Sequence, residues 1–326
     1  MKVLGIGNAL VDVLIELEND NILQELSLPK GSMQLIDSRK LETINRHIKQ
    51  MHRVLIPGGS ATNTITSLSQ LGISTGMIGK INDDEIGNSY KQDLTNRGVV
   101  PQLLKGDLPS GRATTFISRD GERTFATYLG AASTLQADEL KAEMFDGYNL
   151  MHIEGYLLQS HTLIERAMQL AKQAGCLVSM DMASYNIVEE NLGFIQYLLE
   201  KYVDIVFANE EEAHAFYPQS PLESLKALAR ITQTAVVKLG GKGSMVMSGE
   251  EFVEVPALPV QKIDTTGAGD NYAAGFLFGL VNSYPLSTCA EIGSLLAGHV
   301  ITVIGTKLDQ MRWETIKKEI RTITSR

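Results

Sequence analysis

The chain has 326 residues, 44% hydrophobic and 21% charged, a balance that allows a large buried core and is that of a soluble globular protein. Its formal net charge of −9 offers no basic field to nucleic acid or to an acidic membrane surface, and no apolar run is long and unbroken enough to span a bilayer. Any anionic ligand must therefore be held by local devices.

Taken in chain order, Val3-Leu4-Gly5-Ile6-Gly7 reads as a buried strand ending in a turn that glycine permits, with Asn8 and Asp12 just beyond it. A dinucleotide fingerprint fails here. Position 10 is Leu where a third glycine is needed, and Val11 to Ile15 continues as strand rather than helix. By themselves Asn8 and Asp12 read as turn formers.

Residues 13–17 and 33–37 look like strands, as do Ala113 to Ser118 and Arg123 to Tyr128, which bracket the hairpin signal Arg119-Asp120-Gly121-Glu122. Thin apolar content and no long intervening helices predict a small sheet built from two separated segments, residues 11–55 and 107–130. It projects as a lid over a large domain made of residues 1–10, 56–106 and 131–326. Gly58-Gly59 precedes a helical run with Ala61, Ile65, Leu68 and Leu71 at compatible spacing. The glycines either admit a ligand to the backbone or make a close-packed helix start.

From about residue 146, strand and helix alternate. Leu150 to Ile153 precedes a helix over Leu163 to Ala174, Leu177 to Met180 a helix near Phe194 to Lys201, and Ile205 to Ala208 a helix over Glu211 to Tyr217. This pattern predicts an α/β, doubly wound, mainly parallel sheet with helices on both faces, binding ligands at the carboxyl ends of its strands. Asn209 and Glu212 fall at such an end. They have the spacing of a capping box, and a carboxylate held there also suits magnesium bound through water. Ala235 to Leu239, the loop Gly240-Gly241-Lys242-Gly243-Ser244 and Met245 to Met247 read as strand, glycine loop, strand.

After a β-like run at Phe252 to Val255, the stretch Asp264-Thr265-Thr266-Gly267-Ala268-Gly269-Asp270 runs into an apolar helical pattern, Tyr272, Phe276, Leu277, Leu280 and Val281. The Gly-Ala-Gly turn therefore sits at a helix N-terminus, where unpaired N–H groups and the helix dipole hold an anion without Lys or Arg. Asp270 lies inside this cradle, ionised at neutral pH and suited to take the proton of a hydroxyl attacking a phosphoryl group. The alternative is a glycine-rich connector whose Asp complements the helix dipole. Leu295, Leu296, Val300 and Ile304, then Ile316, Ile320 and Ile323, supply packing helices. The six histidines show no paired metal-ligand spacing, and Cys176 and Cys289 form neither a metal-ligand spacing nor a disulfide framework. With no secretory pattern at the start of the chain, a cytoplasmic location is expected.

The Asp264–Asp270 stretch, DTTGAGD, resembles the signature of the ribokinase-like, phosphofructokinase-B type family of sugar and nucleoside kinases. Gly58-Gly59-Ser60-Ala61-Thr62-Asn63, continued to Leu71-Gly72, resembles that family's other signature, and Asn209-Glu210-Glu211-Glu212 its N-x-x-E motif. Gly79, Asp83, Gly87 and Gly98-Val99 follow its pattern too, so the likeness runs from about Val3 to Leu308. Asn271-Tyr272 departs from it, since many members have a small residue and Phe there.

The resemblance implies an ATP-dependent kinase with Asp270 as catalytic base and the Gly267, Ala268 and Gly269 amides as anion hole. It implies acceptor binding by Asn8, Asp12, Gly58, Gly59 and Asn63, with Asp12 taking a pair of hydroxyls, as a carboxylate can. Gly240 and Gly243 then lie beside the nucleotide with Lys238, and Asn209 and Glu212 serve water-mediated Mg2+. A monovalent cation such as K+ stays open, as does a monomer or a homodimer through the lid. The run Gly121 to Ala132 looks like the adenosine-kinase-type branch, while Asp181 to Asn186 lacks the Asp-x-Asn-x-Arg run of several sugar-acid and fructose kinases. The reading therefore leans to a nucleoside acceptor, with a ribose, fructose or sugar-acid kinase, or a non-catalytic sugar or nucleotide sensor on the same fold, as alternatives.

Overall fold

The apolar runs that begin near Val3, Leu150, Leu177 and Ile205 become neighbouring parallel strands. In the computed structural model, which describes residues 1–325, the strands are β1 Lys2–Ile6, β2 Leu10–Glu16, β3 Met33–Leu35, β4 Val54–Gly58, β5 Ser74–Ile81, β6 Val99–Lys105 and β7 Gly111–Ile117, followed by β8 Arg123–Tyr128, β9 Leu150–Glu154, β10 Leu177–Asp181, β11 Ile205–Asn209, β12 Thr234–Lys238, β13 Ser244–Ser248 and β14 Glu251–Val255. The helices are α1 Asn21–Glu25, α2 Ser38–Ile48, α3 Ser60–Gln70, α4 Glu85–Asn96, α5 His161–Gln173, α6 Tyr185–Lys201, α7 Glu210–Phe216, α8 Pro221–Ala229, α9 Ala268–Val281, α10 Leu286–Val300 and α11 Gln310–Thr324.

The large sheet has the order β14-β13-β12-β11-β10-β9-β1-β5-β6, parallel except where β13 pairs antiparallel with β12 and β14. Its inner strands are buried on both faces, and their period of two divides them between two cores. In β11, Ile205 and Phe207 enter a core with Phe276 of α9 and Leu296 of α10. Val206 and Ala208 enter the other, with Leu163 of α5, Leu198 of α6 and Leu225 of α8. Phe207 meets Phe276 edge to face at 5.5 Å, and truncating such a ring to Ala costs about 3–5 kcal/mol.

The small sheet has the order β3-β8-β7-β2-β4. Val11, Val13 and Ile15 of β2 turn into a buried face shared with Ile44 and Ile48 of α2, so alternation puts Asp12 on the opposite face. Three features differ from the sequence expectation. A long helix, α2, does lie between the small-sheet strands. Leu41, Ile44 and Ile48 give it a buried stripe, and Asp37 caps it by accepting from the Lys40 N–H at 2.8 Å. The edge strand β4 was not anticipated, because it is short and contains Pro57, a residue that edge strands tolerate. In the large domain α6 begins at Tyr185 rather than near Phe194. A kink at Asn191, after the polar Glu189-Glu190 pair, masks the period of its first turns. Among the described residues no helix is long and apolar enough to cross a membrane.

Candidate active site

Glu154, Asp181, Asn209 and Lys238 are the last residues of β9, β10, β11 and β12 and share one edge of the large sheet. The first turns of α3 and α9 meet at this edge. Gly267 caps α9 in the left-handed region with φ 72°, and a Cβ there would lie 2.6 Å from the Thr306 methyl, so both conformation and space call for glycine. Asp264 builds the approach to the helix. Its Oδ1 accepts from the Thr266 N–H at 3.0 Å and the Thr266 hydroxyl at 2.7 Å, and its Oδ2 accepts from the Gly305 N–H at 2.8 Å and from Arg123 of β8 at 3.0 Å. Burial pushes this carboxyl up, but those bonds outweigh it and hold it below the usual range. Asn271, fully buried, closes the loop by donating to the Gly267 carbonyl at 3.0 Å while accepting from Ser67 at 2.8 Å.

Of the proposed anion hole, the Ala268 N–H is bonded to the Thr265 carbonyl at 3.2 Å, whereas the amides of Gly267, Gly269 and Asp270 donate to no backbone carbonyl among the described residues. A Cβ on Gly269 would lie 3.0 Å from Lys238 Nζ, which places that ammonium beside the free amides. Lys238 also donates to Asp181 Oδ2 at 2.8 Å. Burial pulls the Lys238 pKa down, yet the charges of Asp181 and Glu212 outweigh it and the net shift is upward. Burial likewise pushes Asp181 up, and Lys238 reverses it, so the pair stays charged.

The Asp270 carboxylate is gripped from α3. Ser60 donates to Oδ1 at 2.7 Å and Asn63 to Oδ2 at 2.9 Å, while Thr64 donates to the Asp270 carbonyl at 3.1 Å. Burial raises its pKa to about 6 against those two side-chain bonds. The group is thus mostly ionised at pH 7 and more basic than an ordinary Asp.

Asp12 faces the same cleft from the small sheet. A Cβ built on Gly58 would be 3.4 Å from Asp12 Oδ2 and 3.8 Å from Asn63 Oδ1, so the three expected acceptor residues lie together. Burial pushes Asp12 up to about 6 against the pull of Arg123 and Lys307, and no donor is bonded to its carboxyl among the described residues. Asn63 is committed at both ends of its amide, since its Oδ1 accepts from Thr306 at 3.1 Å. Asn8 is buried, donating to Glu154 at 2.9 Å and accepting from Gln159 at 3.3 Å. Gly59, with φ 99°, passes so close that a Cβ would be 2.5 Å from the Asn8 carbonyl oxygen.

Asn209 and Glu212 form the complete capping box of α7. Asn209 Oδ1 accepts from the Glu212 N–H at 2.8 Å, and Glu212 accepts from the Asn209 N–H at 2.8 Å and its side-chain amide at 2.6 Å. Burial raises Glu212 to about 7, helped by the charge of Asp181. Among the described residues no cluster of three His, Cys, Asp or Glu side chains is arranged to hold a metal. The donor set fits magnesium carried on phosphate oxygens and water, and does not fit an ion chelated by the protein. Gly240 and Gly243 sit in the loop between β12 and β13. Gly243, with φ 105°, lies against the Val255 carbonyl and has a packing reason to be glycine, whereas Gly240 borders open space.

The sequence reading missed Ser60, Glu154 and Asp181 as members of the site. Ser60 stood inside a quoted motif, and the other two end strands whose carboxyl edge was already the expected ligand side.

The profile of the pfkB family carbohydrate kinase matches residues 31–313. The chain is 35% identical to the adenosine kinase of Sinorhizobium meliloti, whose crystal structure aligns with a TM-score of 0.84 over 98% of both chains. It is 32% identical to a probable sugar kinase of Rhizobium etli CFN 42, with a TM-score of 0.85 over 98% of both. Adenosine kinase 2 of Arabidopsis thaliana is 25% identical to it over 91% of this chain and 93% of its own. The profile match runs from just before β3 into α11 and takes in both the Gly58-Gly59 turn and the Asp264–Asp270 loop, so the chain belongs to the pfkB family of carbohydrate kinases.

Proposed function

We propose that the protein transfers the γ-phosphoryl group of ATP to a hydroxyl of an adenosine-type nucleoside, with Asp270 as general base. The observation that carries this reading is the placement of Asp270. Its carboxylate is oriented by Ser60 and Asn63 at the start of α9, beside unbonded amides and the Lys238 ammonium. Asp12 accepts hydroxyls of the acceptor, Asp270 takes the proton of the attacking hydroxyl, and the amides of Gly267 and Gly269 with Lys238 receive the negative charge of the phosphoryl oxygens. Magnesium bound with the nucleotide would supply further charge neutralisation, and Glu212 and Asn209 would order its water. The small sheet, built from β2, β3, β4, β7 and β8, serves as a lid that excludes water. The 3.0 Å Arg123–Asp264 pair, which joins it to the anion loop, supports that role.

The likeness to the S. meliloti adenosine kinase over 98% of both chains supports the nucleoside acceptor. Cys176 and Cys289 are free and buried, which supports a reducing, cytoplasmic setting. A phosphoryl-transfer screen over nucleosides, pentoses, hexoses and sugar acids tests the reading. Adenosine or a related nucleoside is expected to exceed every free sugar in kcat/KM by about tenfold or more. A sugar that outperforms the nucleosides overturns the acceptor, and failure to consume ATP with any of them overturns the kinase.

A further inference from the structure

Glu154 is 1% exposed, and its carboxylate is met by amide N–H groups rather than by a cation. Oε1 accepts from the Asn8 backbone N–H at 2.8 Å and from the Asn8 side-chain amide at 2.9 Å, and Oε2 accepts from the Ala61 N–H at 2.9 Å. The surrounding backbone is shaped to it, since a side chain at Gly7 would run into this carboxyl and one at Gly59 would strike the Asn8 carbonyl. A buried carboxylate without a cation is a costly way to satisfy three neutral donors, so stability does not account for it.

Its position does. Asn8 leads directly into β2, which carries Asp12, and Ala61 follows Ser60 in the first turn of α3, whose Ser60 and Asn63 hold the two oxygens of Asp270. One carboxylate therefore ties the strand that presents the acceptor site to the helix turn that aims the base. We propose that Glu154 is a positioning residue for phosphoryl transfer, fixing Asp270 and Asp12 relative to one another through the Ala61 and Asn8 amides without touching substrate. This rests on the kinase reading above.

Gln has the same shape but only one acceptor oxygen, so it cannot serve Asn8 and Ala61 together. Glu154→Gln is expected to lower kcat about tenfold or more and to raise acceptor KM about threefold or more, with ATP KM within about twofold of wild type. Ser60→Ala removes one grip on Asp270, and because both changes act on the same carboxylate the double variant should lose much less than the product of the single losses. Multiplicative losses, kinetic constants within about twofold of wild type, or a loss spread equally over ATP and acceptor would overturn the proposal. If Glu154→Gln fails to fold, Glu154→Asp, too short to span the donors, carries the same expectation and the same refutation. A wild-type chain that phosphorylates no acceptor sinks the kinase reading and this inference with it. An active wild type beside an unaffected variant sinks the inference alone.

Discussion

Asn63 donates to Asp270 Oδ2 at 2.9 Å across 207 positions of sequence, and its own carbonyl is taken by Thr306 at 3.1 Å. The amide keeps a second N–H and a second lone pair for an acceptor hydroxyl, while its bonded N–H would orient Asp270 in the proposed role of base. With Ser60 on the other oxygen, the lone pairs of Asp270 are directed before any acceptor arrives, which is the preorganisation that phosphoryl transfer relies on.

Asp270→Asn should leave ATP binding largely intact and lower kcat by about 10²-fold to 10⁴-fold, the usual contribution of a positioned general base. Nucleotide titration beside steady-state kinetics checks both halves. A variant with near-normal turnover would remove Asp270 from the role.

The same residue sets a pH dependence. Its pKa rises from an ordinary 3.8 to about 6 in the folded chain, so the ionised base is present above pH 6 and kcat/KM should fall about tenfold per unit below it. The sign for stability is the opposite. A carboxyl whose folded pKa is raised favours folding fully below pH 3.8, and that contribution is lost as pH rises through 6. Asp270→Asn should therefore be more stable than wild type at pH 7.5, by about 1–2 kcal/mol, and little different near pH 4. Urea unfolding at the two pH values measures it, and an equal difference at both contradicts the assignment.

Asp12→Ala should cost about 10-fold to 150-fold in kcat/KM for the acceptor, the worth of a carboxylate hydrogen-bonded to a hydroxyl, and leave the ATP KM almost unmoved. An acceptor analogue lacking one of the paired hydroxyls should be poor for wild type and lose much less further activity in the variant. Equal losses on both acceptors would make Asp12 a support of the fold.

Gly59 and Gly240 both have positive φ, 99° and 58°, but only Gly59 is crowded, with the Asn8 carbonyl 2.5 Å from a built Cβ. Gly240→Ala should cost about 1 kcal/mol, and Gly59→Ala about 2–4 kcal/mol because backbone must also move. Denaturant midpoints decide this, and equal losses would mean that the Asn8 loop yields freely.

Glu212→Gln keeps one acceptor for Asn209 and removes the charge. Loss of the full capping box should lower stability by about 0.5–2 kcal/mol, and the magnesium concentration for half-maximal rate should rise. An unchanged magnesium curve would leave Glu212 as a cap alone.

Local chemistry was enough for much of this protein. The period-two apolar strands, the alternation with helices after residue 146 and the glycine turn into α9 are short-range signals, each written in a run of neighbouring residues, and from them follow the parallel sheet, the edge where its strand ends gather and the glycine loop with Asp270 inside it. The stripe Leu41, Ile44, Ile48 is as local a signal as these, yet the sequence reading expected no long helix between the small-sheet strands. What only tertiary structure decided is pairing between distant segments. The bonds from Ser60 and Asn63 to Asp270, the burial of Glu154 between Asn8 and Ala61, and the approach of Lys238 to Gly269 each join groups brought together by the packing of α3, α9 and the strand ends. A side chain's burial and partners set its pKa and its role, and those depend on contacts that residue order does not contain.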